Sequence, residues 1–265
     1  MSQGIAMQPI QRIDPAFIKD LRYVLFDIDD TVTSGGKLPA CAYSALWSME
    51  RAGLCLIPVT GRPAGWCDMI IRQWPVEAVV GENGAFAFHW QAGHVRMLRH
   101  PCAAQDPRAL LAPLEEAVLH RFPQTRLAHD QFARVYDAAF DFAEEEPVLP
   151  LETAYAIADY CGELGAQAKV SSIHVNAWFG DYNKVSMAEL LLHKLHCGSD
   201  FGQQCLFFGD SPNDEPMFAR FPACGVANVM DFAPRMAYLP RYITALRGGE
   251  GFAEAADILL KKREE

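Results

Sequence analysis

The chain has 265 residues, 51% hydrophobic and 21% charged, with a formal net charge of -10 at pH 7. This suits a soluble globular protein with a sizeable core, in one large domain or two smaller ones. The acidic balance argues against general nucleic-acid binding but leaves a small anionic substrate open, because a local site can oppose the global charge.

No apolar run reaches the roughly 18 residues of a membrane helix. The eight cysteines form no CxxC pair. Reduced thiols are therefore expected, some of them in core stretches, rather than a disulfide framework or a zinc cluster. The opening MSQGIAMQPIQRIDPAF lacks the charged-then-apolar build of a signal peptide, which points to the cytoplasm.

Residues 1 to about 19 read as a polar lead-in. RYVLFDI (22–28) reads as a short buried strand, and PACAYSALWSMERAG (39–53) as a helix with Pro39 in its first turn and Gly53 at its end. LCLIPVT (54–60) is a second strand, PAGWCDMIIRQW (63–74) a helix and EAVVG (77–81) a third strand. Strand and helix alternating over short links indicate βαβ units and a parallel sheet.

The rhythm then changes. AFAFHW (85–90) and HVRMLRH (94–100) predict a hairpin around QAG. Helices follow over 106–122 and 151–165, with strands over 132–143 and in AQAKV and SIHVNAWF. This stretch reads as an inserted α+β domain over 85–182. From Lys184 the first rhythm returns, with an amphipathic helix over 184–196, strands over 204–210 and 223–228, a short helix in NDEPMFARF and a helix at the end. The expected fold is α/β: a Rossmann-like parallel sheet core, discontinuous over 1–84 and 183–265, with an inserted α+β cap domain.

In an open parallel sheet, ligands bind beyond the carboxyl ends of the strands. The first strand ends in Asp27, Asp29, Asp30 and Thr31, the second in Thr60, Gly61 and Arg62. The third ends in GENGA (81–85) with Asn83, the fourth in Gly209, Asp210, Ser211, Asn213 and Asp214. Clustered carboxylates are costly without a cation. Oxygen ligands without His or Cys favour Mg²⁺ over zinc. Thr60 can donate to phosphate oxygens, and Lys184 can add a positive charge.

Taken together, DIDDT, VTGR, Lys184 and GDSPND, in this order, resemble the four signature motifs of the haloacid dehalogenase superfamily phosphatases. ENGA and the long insert resemble the subgroup with a large α/β cap, which includes the Cof-type and sugar-phosphate phosphatases. The resemblance implies that Asp27 is the nucleophile, forming an aspartyl-phosphate, and that Asp29 is the general acid and then the base. It implies that Mg²⁺ is held by Asp27, the Asp29 backbone carbonyl and Asp210, with Asp214 as a further or water-mediated ligand. Thr60 and Lys184 would bind the transferring phosphoryl group.

Asp30 stands where many relatives carry Gly, and is expected to shape the turn rather than act as a third acid. Lys169 falls in cap strand, so Lys184 is preferred. Gly61, Arg62 and Asn83 are candidate substrate contacts. Asn213 either orients a ligand or caps the following helix. His174 and Asn176, on alternate positions of HVNAW, face either substrate or solvent. The expected activity is hydrolysis of a small phosphorylated metabolite, a phosphosugar or similar, with no nucleic-acid or membrane partner and a homodimer left open. A phosphosugar mutase on the same fold and a non-catalytic phosphometabolite-binding protein are the alternatives.

Overall fold

The computed structural model describes residues 7–171, 173–195 and 201–264. In chain order the first elements are β1 (Gln8–Pro9), α1 (Pro15–Asp20), β2 (Tyr23–Phe26), α2 (Ala40–Arg51), β3 (Cys55–Pro58), α3 (Ala64–Gln73) and β4 (Ala78–Gly81). The middle stretch holds β5 (Phe86–Gln91), β6 (His94–Arg99), α4 (Pro107–Arg121), β7 (Arg126–Leu127), β8 (Asp137–Asp141), α5 (Leu151–Glu163), β9 (Gln167–Val170) and β10 (His174–Trp178). The chain closes with α6 (Lys184–Lys194), β11 (Cys205–Gly209), α7 (Glu215–Arg220), β12 (Ala223–Gly225), β13 (Tyr242–Ile243) and α8 (Gly248–Glu264).

The main sheet has the order β1-β13-β12-β11-β2-β3 and is parallel throughout. Its central strands are buried on both faces, so they read as unbroken apolar runs. Val24 and Phe26 of β2, with Leu206 and Phe208 of β11, pack with α2 and α8. Leu25 and Phe207 point the other way, onto Met187, Leu191 and Leu192 of α6 and Met217 of α7. This sandwich puts the carboxyl ends of β2, β3 and β11 side by side. Among the described residues no helix is long and apolar enough to cross a membrane.

Beyond β3, a parallel bridge from Val59 to Val80 leads into an antiparallel ribbon, β4-β5-β6. The hairpin expected at the start of the insert thus pairs with β4, and Phe86 and Ala87 join the main cores. A separate antiparallel sheet, β7-β8-β10-β9, follows. Ala138, Phe140, Val175 and Ala177 on one face pack with Leu111, Leu114 and Val118 of α4 and with Ile157 and Cys161 of α5. The period of two leaves Asp137, Asp141, His174 and Asn176 on the opposite face, where His174 pairs with Asp141 and Asn176 with Ala139.

Two sequence expectations change. The lead-in is not merely polar: Ile10, Ile13 and Ile18 are at most 1% exposed and β1 pairs with β13, a partner too distant to leave a local pattern. The strand expected over 132–143 is shortened to β8. The amides of Val135, Tyr136 and Asp137 donate to the Glu82 carboxylate, and a turn of 3-10 helix occupies Gln131–Ala133. The start of the lead-in and the end of the helix expected over 184–196 lie outside the described residues.

Candidate active site

Asp27 follows β2 directly, and its amide donates to Phe208 O, which ties it to β11. The chain then turns: Asp30 takes a left-handed conformation (φ 55°) and its amide donates to Thr33 Oγ1. Its carbonyl accepts from Asn228. The turn carries Asp29 away from Asp27 and brings Thr31 to Asp210, with 3.1 Å from Oγ1 to Oδ1. These backbone contacts fit the expected turn-shaping part for Asp30.

Lys184 opens α6. Asn183 caps that helix in a reciprocal capping box with Ser186, which fixes where the lysine leaves the helix. Its buried Nζ lies 3.0 Å from Asp27 Oδ1 and 2.9 Å from Asp214 Oδ1. Asp214 Oδ2 accepts the Asp210 amide. Asp210 Oδ2 accepts from Asn228. Asp27, Asp210 and Asp214 offer carboxylate oxygens within 4.8 Å of one another. Three carboxylates against one ammonium leave a formal charge of -2 in a buried corner.

That charge is expensive there. Burial pushes Asp27 up to about 7 against the pull of Lys184, with Asp214 and Asp29 adding to the rise. Asp210 is raised well above the carboxylate range by burial and by Asp214 and Asp27. For Lys184 burial opposes the charge, but Asp214 and Asp27 hold its pKa above the ordinary lysine value. Asp27 Oδ1 is buried against the Lys184 ammonium. An oxygen-only donor set and a formal -2 charge fit a hard divalent cation such as Mg²⁺. Asp29 adds no carboxylate to this cluster.

Thr60 is fully buried at the end of β3, and its Oγ1 accepts the Arg62 amide. The Arg62 guanidinium binds Asp29 through Nε and Nη2, the latter 2.8 Å from Oδ1. It also reaches Glu144 at 3.3 Å and Asp130 at 3.6 Å, and lies over the Trp66 ring. Arg62 therefore ties the sheet end to the insert.

Across the cleft, His174 Nε2 lies 2.7 Å from Glu144 Oε2. The His174 bond draws Glu144 down to about 2, against burial and helped by the charges of His174 and Arg62. Asn176 and Asn83 both donate to Asp137 Oδ2, and Arg134 binds Asp137 and Gly61 O. Asn213 does not cap α7; its Oδ1 accepts the Ser211 hydroxyl.

Asp27, Asp29, Gly61, Arg62, Asn83, His174, Asn176 and Asn213 all line one cleft, a cavity of about 20 Å³; Thr60 and Lys184 do not line it but contact Arg62 and Asp27, which do. That is room for about one water molecule, and Asp29, Arg62 and Glu144 also line an adjoining cavity of about 320 Å³. Sequence reasoning missed Glu82, Asp130, Arg134, Asp137 and Glu144. ENGA displayed Glu82 and the EEE run displayed Glu144, but nothing local marks Arg134 or Asp137.

No protein-family model matches the chain, and no curated protein matches it. Solved structures do. A Thermoplasma acidophilum protein aligns with a TM-score of 0.71 at 16% identity, over 91% of this chain and 98% of the other. A haloacid dehalogenase-like hydrolase from Bacteroides thetaiotaomicron aligns at 0.67 and 14% identity, over 89% and 98%. A sucrose-phosphatase from Synechocystis, solved with sucrose and phosphate, aligns at 0.64 and 15%, over 90% and 97%. With its parallel sheet, its inserted antiparallel sheet and these neighbours, the chain has the fold of the haloacid dehalogenase-like hydrolases.

Proposed function

We propose that this chain is a Mg²⁺-dependent phosphatase that hydrolyses a small phosphomonoester, a sugar phosphate or related metabolite, through an aspartyl-phosphate on Asp27. The observation that carries this reading is the buried Asp27–Lys184–Asp214 ion pair at the end of the sheet, beside Asp210 and beneath a cleft closed by the insert. Asp27 attacks phosphorus and the ester oxygen leaves. Lys184 and Thr60 hold phosphoryl oxygens and offset the charge that spreads over them.

Asp29 gives a proton to the leaving alcohol oxygen, then takes one from the water that cleaves the acyl phosphate. Its carboxylate is held here by Arg62, so substrate entry must break that pair and turn Asp29 toward Asp27. Asp27, the Asp29 carbonyl and Asp210, with Asp214 behind them, would hold Mg²⁺, which when bound supplies Lewis-acid charge neutralisation. The segment between β6 and α6 serves as the cap, and its Glu144, His174 and Asn176 face the leaving group.

The test is phosphate release from a panel of sugar phosphates, nucleotides and headgroup phosphates, with Mg²⁺ and with EDTA. Wild type releases phosphate with Mg²⁺ only, and Asp27→Asn loses activity by at least about a thousandfold. An inactive wild type across the panel, or an active Asp27→Asn, overturns the reading. A mutase would return an isomerised sugar phosphate instead of free phosphate.

A further inference from the structure

The turn Glu82–Gly84, which follows β4, meets four segments at once. Its backbone holds the loop after β3: the Glu82 amide donates to Arg62 O at 3.2 Å and the Asn83 amide to Thr60 O at 3.1 Å. Its glycine sits on the start of α6. A Cβ on Gly84 would come within 2.2 Å of Asn183 O, one residue before Lys184, and the glycine φ is 106°. Its side chains reach the other two segments.

The Glu82 carboxylate is wholly buried and bridges between them. Oε1 accepts the amide of Ala64, the first residue of α3, at 2.9 Å. It also accepts the amide of Val135 at 3.0 Å. Oε2 accepts the amides of Tyr136 and Asp137, the latter at 3.2 Å. The Asn83 side chain adds a bond to Asp137 Oδ2. Glu82 and Asn83 both have positive φ (43° and 56°), a strained pair for non-glycine residues, and such strain persists where the surroundings over-determine it.

Ionised, this group only accepts, which suits the place; burial and the Asp137 charge push its pKa up to about 8 against the pull of the Tyr136 and Val135 amides. Four backbone N–H groups point at it from two parts of the chain. These amides cannot find water in a buried site, and unpaired they would carry the full desolvation cost. One carboxylate holds both segments: Oε1 accepts from Ala64, at the start of the helix that follows the Thr60–Arg62 loop, and from Val135, while Oε2 accepts from Val135, Tyr136 and Asp137, the segment that leads into β8. Neither segment can shift without dragging the other.

We propose that Glu82 is a positioning residue that couples the seating of the inserted segment 134–137 to the geometry of the Thr60–Arg62 loop and the first turn of α3. Its consequence for turnover rests on the phosphatase reading; the coupling itself does not. With the segment seated, the Thr60 and Gly61 end of the cleft is fixed in the shape that receives a phosphoryl group. With the segment displaced, that shape relaxes.

The test compares wild type, Glu82→Gln and Gly65→Ala by amide hydrogen exchange, by inorganic phosphate binding and by steady-state kinetics. Glu82→Gln leaves one acceptor oxygen and adds a donor among donors. Gly65→Ala leaves the carboxylate intact but puts a Cβ 2.9 Å from that of Ala133, which displaces the segment by a small amount and keeps the test alive if Glu82→Gln fails to fold.

The proposal expects exchange in Glu82→Gln to rise about tenfold together at 60–64 and 134–137, with β2 and β11 unchanged. Inorganic phosphate binds about tenfold more weakly, equivalent to one decade in Kd, and kcat falls more than KM rises. Gly65→Ala gives the same pattern, weaker. Faster exchange at 134–137 with wild-type exchange at 60–64 and wild-type phosphate affinity overturns the coupling. So does a uniform rise in exchange with a lowered Tm, the mark of a merely structural residue. Coupled exchange in a chain that turns over no phosphomonoester upholds the coupling and sinks the phosphatase reading.

Discussion

Glu144 shows how one side chain can be read at its own scale. It lies 2.7 Å from His174 and 3.3 Å from Arg62, and its pKa falls from 4.5 to about 2. A depressed carboxylate stabilises the fold at pH above its unfolded value and loses that contribution as pH falls toward its folded one. The window therefore runs from about 4.5 down to about 2. Urea unfolding at pH 5 and pH 3 should show wild type losing more stability than Glu144→Gln over this interval. Equal losses would mean that the pair contributes nothing. The sequence displayed Asp27, Asp29, Thr60 and Asp210 because their motif spacing is local. It could not display the Arg62–Asp29 pair or the four amides on Glu82. Those partners meet only through the tertiary fold, 18 to 55 positions apart.

At the scale of elements, helix ends carried the clearest signals. Pro39 directly precedes α2, and α5 ends two residues before Gly165. The α6 start was legible from Lys184 and its apolar spacing, but the Asn183 cap was not singled out. Asn183→Ala removes the side-chain half of the capping box, the bond from the Ser186 amide to Asn183 Oδ1, and leaves the Asn183 amide on Ser186 Oγ; it should cost about 1 kcal/mol in chemical unfolding. Because that cap also sets the exit of Lys184, phosphate affinity should weaken alongside stability; a loss of stability alone would show that the lysine keeps its place without it. The shortest elements escaped the sequence for a physical reason. β1 and β13 have two residues each, too few for any periodicity, and they exist because they pair. The strand expected over 132–143 lost its first half to Glu82, a side chain that competes with the sheet for the same amides.

At the scale of the whole molecule, the rhythm of the sequence breaks at residue 85, where parallel strands give way to antiparallel ones. The β5–β6 hairpin nonetheless packs with β4 and the main cores, because its apolar face completes that edge. The buried -2 corner yields a further prediction. Mg²⁺ should raise Tm, with a stabilisation of about 2.7 kcal/mol at a hundred times its Kd. Asp210→Asn should remove most of that shift in a thermal melt, and an unchanged shift would place the cation elsewhere. The strand order has a consequence in time. β2, which ends at Asp27, needs β11 on one flank, and β11 lies some 180 residues later in the chain. During synthesis β2 must wait as an unpaired edge, and Lys184, Asp210 and Asp214 all arrive after the insert. Under the proposed reading, a ribosome-bound or prematurely ended chain would carry Asp27 without Lys184, Asp210 and Asp214, and chemistry at Asp27 would begin only when the last third of the polypeptide has folded.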